Sequence, residues 1–163
     1  MAKNNKDAVR MTPSNLLLSF GGIGFFPFAP GTAGSLATIP LLYLLGITNT
    51  PNIFIIPPLI TTLAVSIYII NRQESNSENY QHDPSWIVID EVVGMVTAWL
   101  FVEEYSWQAL LAIFILFRFF DITKVWPANY FDRKMKSGVG VMIDDIVSAI
   151  YAGLLYRICL LAL

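Results

Sequence analysis

Five apolar segments, separated by short polar breaks, make up most of this chain. They cover residues 36–47, 53–70, 86–102, 108–120 and 141–163. A straight helix needs about 20 apolar residues to cross a bilayer, within a range of about 17 to 25. Three of the segments reach that length. The segments 36–47 and 108–120 either cross with an added turn from their neighbours or remain re-entrant or buried helices. The pattern predicts an all-α fold, an integral-membrane bundle of about four to five apolar helices.

The composition fits one membrane-embedded domain over residues 1–163, with a polar N-terminal flank over residues 1–20. Hydrophobic residues make up 55% of the 163 and charged residues only 13%, and the mean hydropathy is +0.59. In an ordinary soluble domain about a quarter of the residues are charged. The net charge is only −2, and Lys/Arg clusters interleaved with aromatic residues are missing. We therefore expect a membrane as a partner and no nucleic acid.

The two ends of the chain carry little chemistry. Cys159 is the one cysteine and lies in an apolar tail, so neither a disulfide nor a Cys/His metal cluster is expected. Residues 1–15 lead into no simple apolar stretch that ends at a small-residue cleavage site, so we expect no cleaved signal peptide.

Charged residues gather on one side of the predicted bundle. If the N-terminus is cytoplasmic and each apolar segment crosses once, nine of the ten Lys/Arg residues face the cytoplasm, and Arg157 alone lies near the other side. Loops rich in Lys and Arg are typical of the cytoplasmic side. The acidic residues in or beside apolar segments fall on that same side: Asp90, Glu91, Asp121, Asp132, Asp144 and Asp145. The sequence therefore predicts an active site that faces the cytoplasm.

Two acidic pairs stand near the starts of apolar helices. In "WIVIDEVVGMVTAWL", Asp90 and Glu91 lie about one turn from the cytoplasmic end, where an ionised carboxylate costs up to about 2.5 to 3.5 kcal/mol. In "GVGVMIDDIVSAIYAGL", Asp144 and Asp145 lie in the first turns of the last helix, where carboxylates favour the helix dipole. Snorkelling to water and plain helix-start charge are the alternatives. A shared cation would offset the cost of both pairs, and hard oxygen ligands suit Mg²⁺.

A third group of charges ends the fourth apolar segment. In "FRFFDITKVWPANYFDRKMKSGVG", Arg118, Asp121 and Lys124 stand three residues apart, so each neighbours the next on a helix surface. Arg and Lys side chains bind phosphate oxygens, which makes metal-assisted phosphoryl transfer the simplest chemistry for this face. A self-neutralised row of ion pairs is the alternative.

The stretch "PFAPGTAGSLATIPL" places small and hydroxyl residues directly before an apolar helix. We expect Pro30, Gly31, Thr32, Gly34 and Ser35 to form a loop whose backbone N–H groups bind phosphate, with the glycines allowing close approach. A plain glycine turn is the alternative. The stretch is not a P-loop, because the lysine of that motif is missing.

These blocks, in this order and with this spacing, resemble the phosphatidylglycerophosphatase A family from about residue 22 to residue 155. The resemblance implies a Mg²⁺-dependent phosphatase of the bacterial inner (cytoplasmic) membrane that converts phosphatidylglycerophosphate to phosphatidylglycerol and inorganic phosphate. Carried over position by position, it favours as functional the five residues of the loop together with Asp90, Glu91, Asp121, Lys124, Asp132, Arg133, Asp144 and Asp145. We assign catalysis to Asp90, Glu91, Asp121, Asp144 and Asp145, Mg²⁺ binding to the two acidic pairs, and substrate binding to the loop, Arg118, Lys124, Asp132 and Arg133.

The residues leave some alternatives open. The nucleophile is either a metal-activated water, which we favour, or one of the aspartates, since the chain has no Cys-x5-Arg loop and only one histidine, His82. A small transporter or channel using clustered intramembrane carboxylates is an alternative function, and it predicts carboxylates at mid-membrane depth and on both sides. A CDP-alcohol type transferase would need a contiguous aspartate spacing that this sequence lacks.

Overall fold

The computed structural model describes residues 11–76, 84–103, 106–135 and 137–162, and within these ranges it is helical without strands. A 3-10 turn covers Ile23–Phe25. The α-helices are α1 Pro13–Leu18, α2 Pro30–Ile47, α3 Asn52–Ser75, α4 Ile89–Trp99, α5 Trp107–Thr123, α6 Ala128–Lys134 and α7 Gly138–Leu161. The predicted all-α membrane bundle is confirmed.

Three helices are long and apolar enough to cross a membrane, namely α2, α3 and α7. The segment 36–47 gains the needed length because its helix already begins at Pro30, where the fixed φ of proline suits a first turn and its missing N–H costs no helical bond. The segment 86–102 is shorter than predicted, with α4 covering 11 residues. Its first residues leave the helix because the Val88 N–H donates to the carbonyl of Leu18 in α1, at 2.9 Å.

Helix α4 lies at the centre of the bundle and contacts α2, α3, α5 and α7. Eight of its 11 residues are buried, including the large side chains of Met95 and Trp99. A Cβ on Gly94 would overlap the ring of Phe117, so glycine here is what lets α5 approach so closely. The start of α4 is therefore held on several sides by other helices.

The end of the bundle away from the start of α4 carries few charges. There the Arg157 guanidinium lies 2.6 Å from a carboxylate oxygen of Glu103, and the rings of Tyr43 and Trp107 stack with centroids 4.2 Å apart. The hydrogen bond and the charge of Arg157 hold the pKa of Glu103 below its usual range. Arg157, the one cation expected on this side, is thus neutralised locally.

Candidate functional site

A polar pocket of about 200 Å³ opens at the end of the bundle where α2, α4 and α7 begin and α5 ends. The first turns of α2 and α4, the last turns of α5 and a point about two turns into α7 contribute side chains to it. The lining residues are Ala29, Pro30, Gly31, Thr32, Ser85, Ile87, Asp90, Glu91, Arg118, Asp121, Lys124, Asp144 and Asp145. Four stretches that are distant in sequence therefore meet in one cavity.

Three carboxylates in this pocket form a compact cluster. Asp90, Glu91 and Asp145 each offer an oxygen, and these oxygens lie within 4.8 Å of one another. Both aspartates are buried, and Oε2 of Glu91 and Oδ2 of Asp145 have no hydrogen-bond partner among the described residues. Buried acceptors without a donor are costly, and a divalent cation would relieve that cost. The donor set consists of hard oxygens, which fits Mg²⁺ in its chemistry.

The first turn of α2 presses directly against this cluster. A Cβ built on Gly31 would overlap Oε1 of Glu91 and lie 2.9 Å from its Cδ. The same Cβ would lie 3.5 Å from Nη1 of Arg118. Only glycine at this position leaves room for the carboxylate where it stands, so Gly31 shapes the pocket from the side opposite α4.

Two cations face the carboxylates from α5 and from the turn that follows it. Nη1 of Arg118 lies 2.7 Å from Oδ2 of Asp121, the pairing expected from their spacing. Nζ of Lys124 lies 2.8 Å from Oδ2 of Asp144, which joins the end of α5 to α7. Nε of Arg118 is buried without a hydrogen-bond partner among the described residues. The pocket thus holds positive groups beside the acidic cluster.

The start of α7 is fixed by contacts that the sequence analysis missed. The Gly138 N–H donates to Oδ1 of Asn71 at 2.7 Å, so a side chain from α3 caps the helix that carries Asp144 and Asp145. A Cβ on Gly140 would overlap the carbonyl of Met135. The pair of glycines in "GVG" signals this tight packing, whereas no local signal in the sequence points to Asn71.

The predicted phosphate loop is instead the beginning of a helix. The loop before it ends at Ala29, and Pro30, Gly31 and Thr32 are the first residues of α2 that line the pocket. Gly34 and Ser35 lie one turn further on, outside the lining. A Cβ on Gly34 would lie 2.9 Å from Cβ of Val88, and the Ser35 hydroxyl donates to the carbonyl of Gly31 at 3.0 Å.

Ser35 also receives a hydrogen bond from Arg118 Nη1 at 3.5 Å. Its hydroxyl therefore supports the arginine rather than facing the cavity. Asp132 and Arg133 belong to α6, and their side chains lie outside what the structure describes, as does His82. Ala29, Ser85 and Ile87 line the pocket but were not predicted, because none of them belongs to a charged or glycine-rich motif.

Comparison with known proteins adds an independent observation. A sequence model described as "PgpA: Phosphatidylglycerophosphatase A" matches residues 16–160. A phosphatidylglycerophosphatase A of Haemophilus influenzae is 41% identical over 158 residues, covering 93% of this chain and 93% of the relative. One of Escherichia coli is 37% identical over 155 residues, covering 94% of this chain and 88% of the relative. No solved structure matches the chain.

Proposed function

Because the chain belongs to the phosphatidylglycerophosphatase A family and is a phosphatase, we propose that it hydrolyses phosphatidylglycerophosphate to phosphatidylglycerol and inorganic phosphate with the help of Mg²⁺. The observation that carries the proposal is the pocket itself. It combines a cluster of buried carboxylates with Arg118 and Lys124 at one end of a bundle of membrane-length helices. A phosphate monoester of a lipid fits this arrangement, because its phosphate suits the charged pocket and its acyl chains suit the surrounding membrane.

Asp90, Glu91 and Asp145 are the residues that would hold the metal ion, with Asp144 beside them. When bound, Mg²⁺ supplies charge neutralisation on the phosphate and lowers the pKa of coordinated water. Asp144 contacts Lys124, so it also keeps that ammonium group turned toward the site. These four carboxylates therefore have two tasks, to hold the cation and to orient a lysine.

Arg118 and Lys124 are placed to bind the phosphate oxygens that the metal does not reach. Each forms an ion pair with a carboxylate, Asp121 and Asp144 respectively. These pairings fix the direction of the long side chains before the substrate arrives, which lowers the entropy cost of binding. The first turn of α2 adds backbone N–H groups at Gly31 and Thr32 that make no bond within the helix, and its dipole favours the anion.

The reaction needs one bond to break and one to form at phosphorus. Water supplies the new oxygen, the bond from phosphorus to the terminal glycerol oxygen breaks, and that oxygen takes up a proton as the lipid alcohol leaves. Arg118 and Lys124 stabilise the negative charge spread over the equatorial oxygens during the transfer. Carboxylates that line the pocket can accept the proton from water.

Chelation tests the metal requirement. Purified protein in detergent should release phosphate from phosphatidylglycerophosphate with Mg²⁺, and EDTA should lower that rate by about a hundredfold or more because the acidic cluster would lose its cation. Added Mg²⁺ should restore the rate. Phosphate release that stays unchanged in EDTA would contradict the metal assignment while leaving the phosphatase assignment intact.

We further propose the bacterial inner membrane as the location, with the pocket facing the cytoplasm. Cysteine labelling in a Cys159→Ser background tests this, since Cys159 is exposed. We expect labelling from the cytoplasm at Thr32→Cys, Ser85→Cys and Ser137→Cys, and from outside at Asn49→Cys and Ser106→Cys. The reason is that the first three lie at the starts of α2, α4 and α7, and the last two at the opposite breaks. Labels at Ser85 and Ser137 from opposite sides would rule out a shared site.

The alternative of a small transporter is less well supported. It requires carboxylates spread through the depth of the membrane, whereas the described pocket collects five of them at one end of the bundle. The acidic group described at the other end, Glu103, is mostly exposed and paired with Arg157. This distribution favours a surface-facing catalytic site over a path through the bilayer.

A further inference from the structure

Large apolar side chains stand exposed around the edge of the polar pocket. Phe26 and Phe28 directly precede the lining residues of α2, and Ile122, Val125 and Trp126 lie beside the lining residues at the end of α5. Phe28 is 76% exposed, Trp126 73% and Ile122 69%. We call these five residues the apolar rim. They flank the lining residues in two segments of the chain. The surface therefore changes from charged to apolar within a few residues of each segment.

One side of the apolar rim is tied to α7, and the other side contains a contact between its two aromatic rings. The hydroxyl of Tyr151 in α7 donates to the carbonyl of Trp126 at 2.9 Å. The ion pair of Lys124 with Asp144 ties the same turn to α7 from the pocket side. Phe28 and Phe26 contact each other edge to face, with ring centroids 6.4 Å apart. The turn that carries Val125 and Trp126 is therefore fixed beside the charged groups, and Phe26 and Phe28 support each other.

The arrangement matches the shape of an amphiphile. A diacyl substrate must bring its phosphate into the charged pocket while its acyl chains remain among apolar groups. Helix faces elsewhere in the bundle are also apolar, but the apolar rim is continuous with the lining of the pocket in the segment before α2 and at the end of α5. We propose that the apolar rim binds the glycerol backbone and proximal acyl chains of the substrate; the inference rests on the proposed function.

Acyl-chain binding at the apolar rim would make the enzyme prefer the diacyl lipid over its water-soluble headgroup. The headgroup alone offers the same phosphate to Arg118 and Lys124 but makes no apolar contact. Burying a large aromatic side chain against an acyl chain contributes enough to change kcat/KM by about tenfold or more. The apolar rim is thus a determinant of substrate specificity, distinct from the groups that act on phosphorus.

Two substrates separate this role from catalysis. The first is phosphatidylglycerophosphate in detergent micelles, and the second is its deacylated form, glycerophosphoglycerophosphate. We expect Phe28→Ser and Trp126→Ser each to lower the ratio of kcat/KM for the diacyl over the deacylated substrate by about tenfold. Trp126→Leu should restore most of the ratio, because leucine keeps an apolar surface without the indole ring.

Phe54→Ser provides the matched control. Phe54 is an aromatic residue in α3 with 69% exposure, and it lies at the end of the bundle opposite the pocket. Its replacement should leave the ratio unchanged. An unchanged ratio in the two rim variants, or an equal fall in Phe54→Ser, would overturn the inference. If the wild-type protein releases no phosphate from either substrate in Mg²⁺, the proposed function itself fails.

Discussion

Replacing Asp145 with Asn should lower the turnover number for phosphate release by about a thousandfold or more. Asp145 is buried, belongs to the compact carboxylate cluster and has one oxygen without a hydrogen-bond partner among the described residues. Asparagine keeps the volume but removes the charge that a divalent cation needs. Asp90→Asn, Glu91→Gln and Asp144→Asn should act in the same direction. Phosphate release from phosphatidylglycerophosphate measures the effect.

The control for charge removal is Glu103→Gln. Glu103 lies at the far end of the bundle, where its side chain is 71% exposed, so its neutralisation should leave turnover within about twofold of wild type. All variants should still purify as folded protein. Mg²⁺ should raise the melting temperature of the wild type but not of Asp145→Asn, because a ligand stabilises only the state that binds it. Near-wild-type turnover in two or more of the four carboxylate variants would remove the site as proposed.

A single methyl group at Gly31 should also remove most of the activity. The new Cβ in Gly31→Ala would occupy the position of Glu91 Oε1, and the flexible glutamate can relieve the overlap only by turning away. We expect kcat to fall by about a hundredfold and the Mg²⁺ concentration for half-maximal rate to rise. Thermal stability should stay the same or increase, since alanine favours a helix over glycine by up to about 1 kcal/mol.

Gly34→Ala is the contrasting variant in the same helix. Its Cβ would lie 2.9 Å from Cβ of Val88, which is a branched side chain with little freedom to move. This variant should therefore lose thermal stability without a change in the Mg²⁺ concentration for half-maximal rate. If both variants lose stability and neither changes the response to Mg²⁺, Gly31 has only a packing role.

The charged residues that line the pocket could be singled out from the sequence because their surroundings are apolar. Asp90, Glu91, Asp144 and Asp145 stand in segments where an uncompensated charge is costly, so the charges themselves signal a binding partner. The spacing of three residues between Arg118 and Asp121 likewise predicted their ion pair, because both lie on one helix. Counting one membrane crossing per apolar segment also predicted that the start of α2, the two acidic pairs and the charges at the end of α5 lie at one end of the bundle.

Contacts between distant helices could not be found in this way. The approach of Gly31 to Glu91 and the cap that Asn71 places on Gly138 depend on how α2, α3, α4 and α7 pack, and one sequence contains no measure of that packing. The boundary of α2 was misplaced for a related reason. Glycine and proline favour turns, but proline at the first position and small residues facing a neighbouring helix are equally compatible with a helix start.

The short central helix has a consequence for the surrounding lipid. With 11 residues, α4 rises only about 16 Å, roughly half the hydrocarbon thickness of an ordinary bilayer. The charged pocket lies at one end of α4, and the pair of Glu103 and Arg157 lies just beyond the other. Both polar regions are stabilised by water, so water must enter the bundle from each end and leave a dry layer between them that is thinner than the surrounding hydrocarbon core.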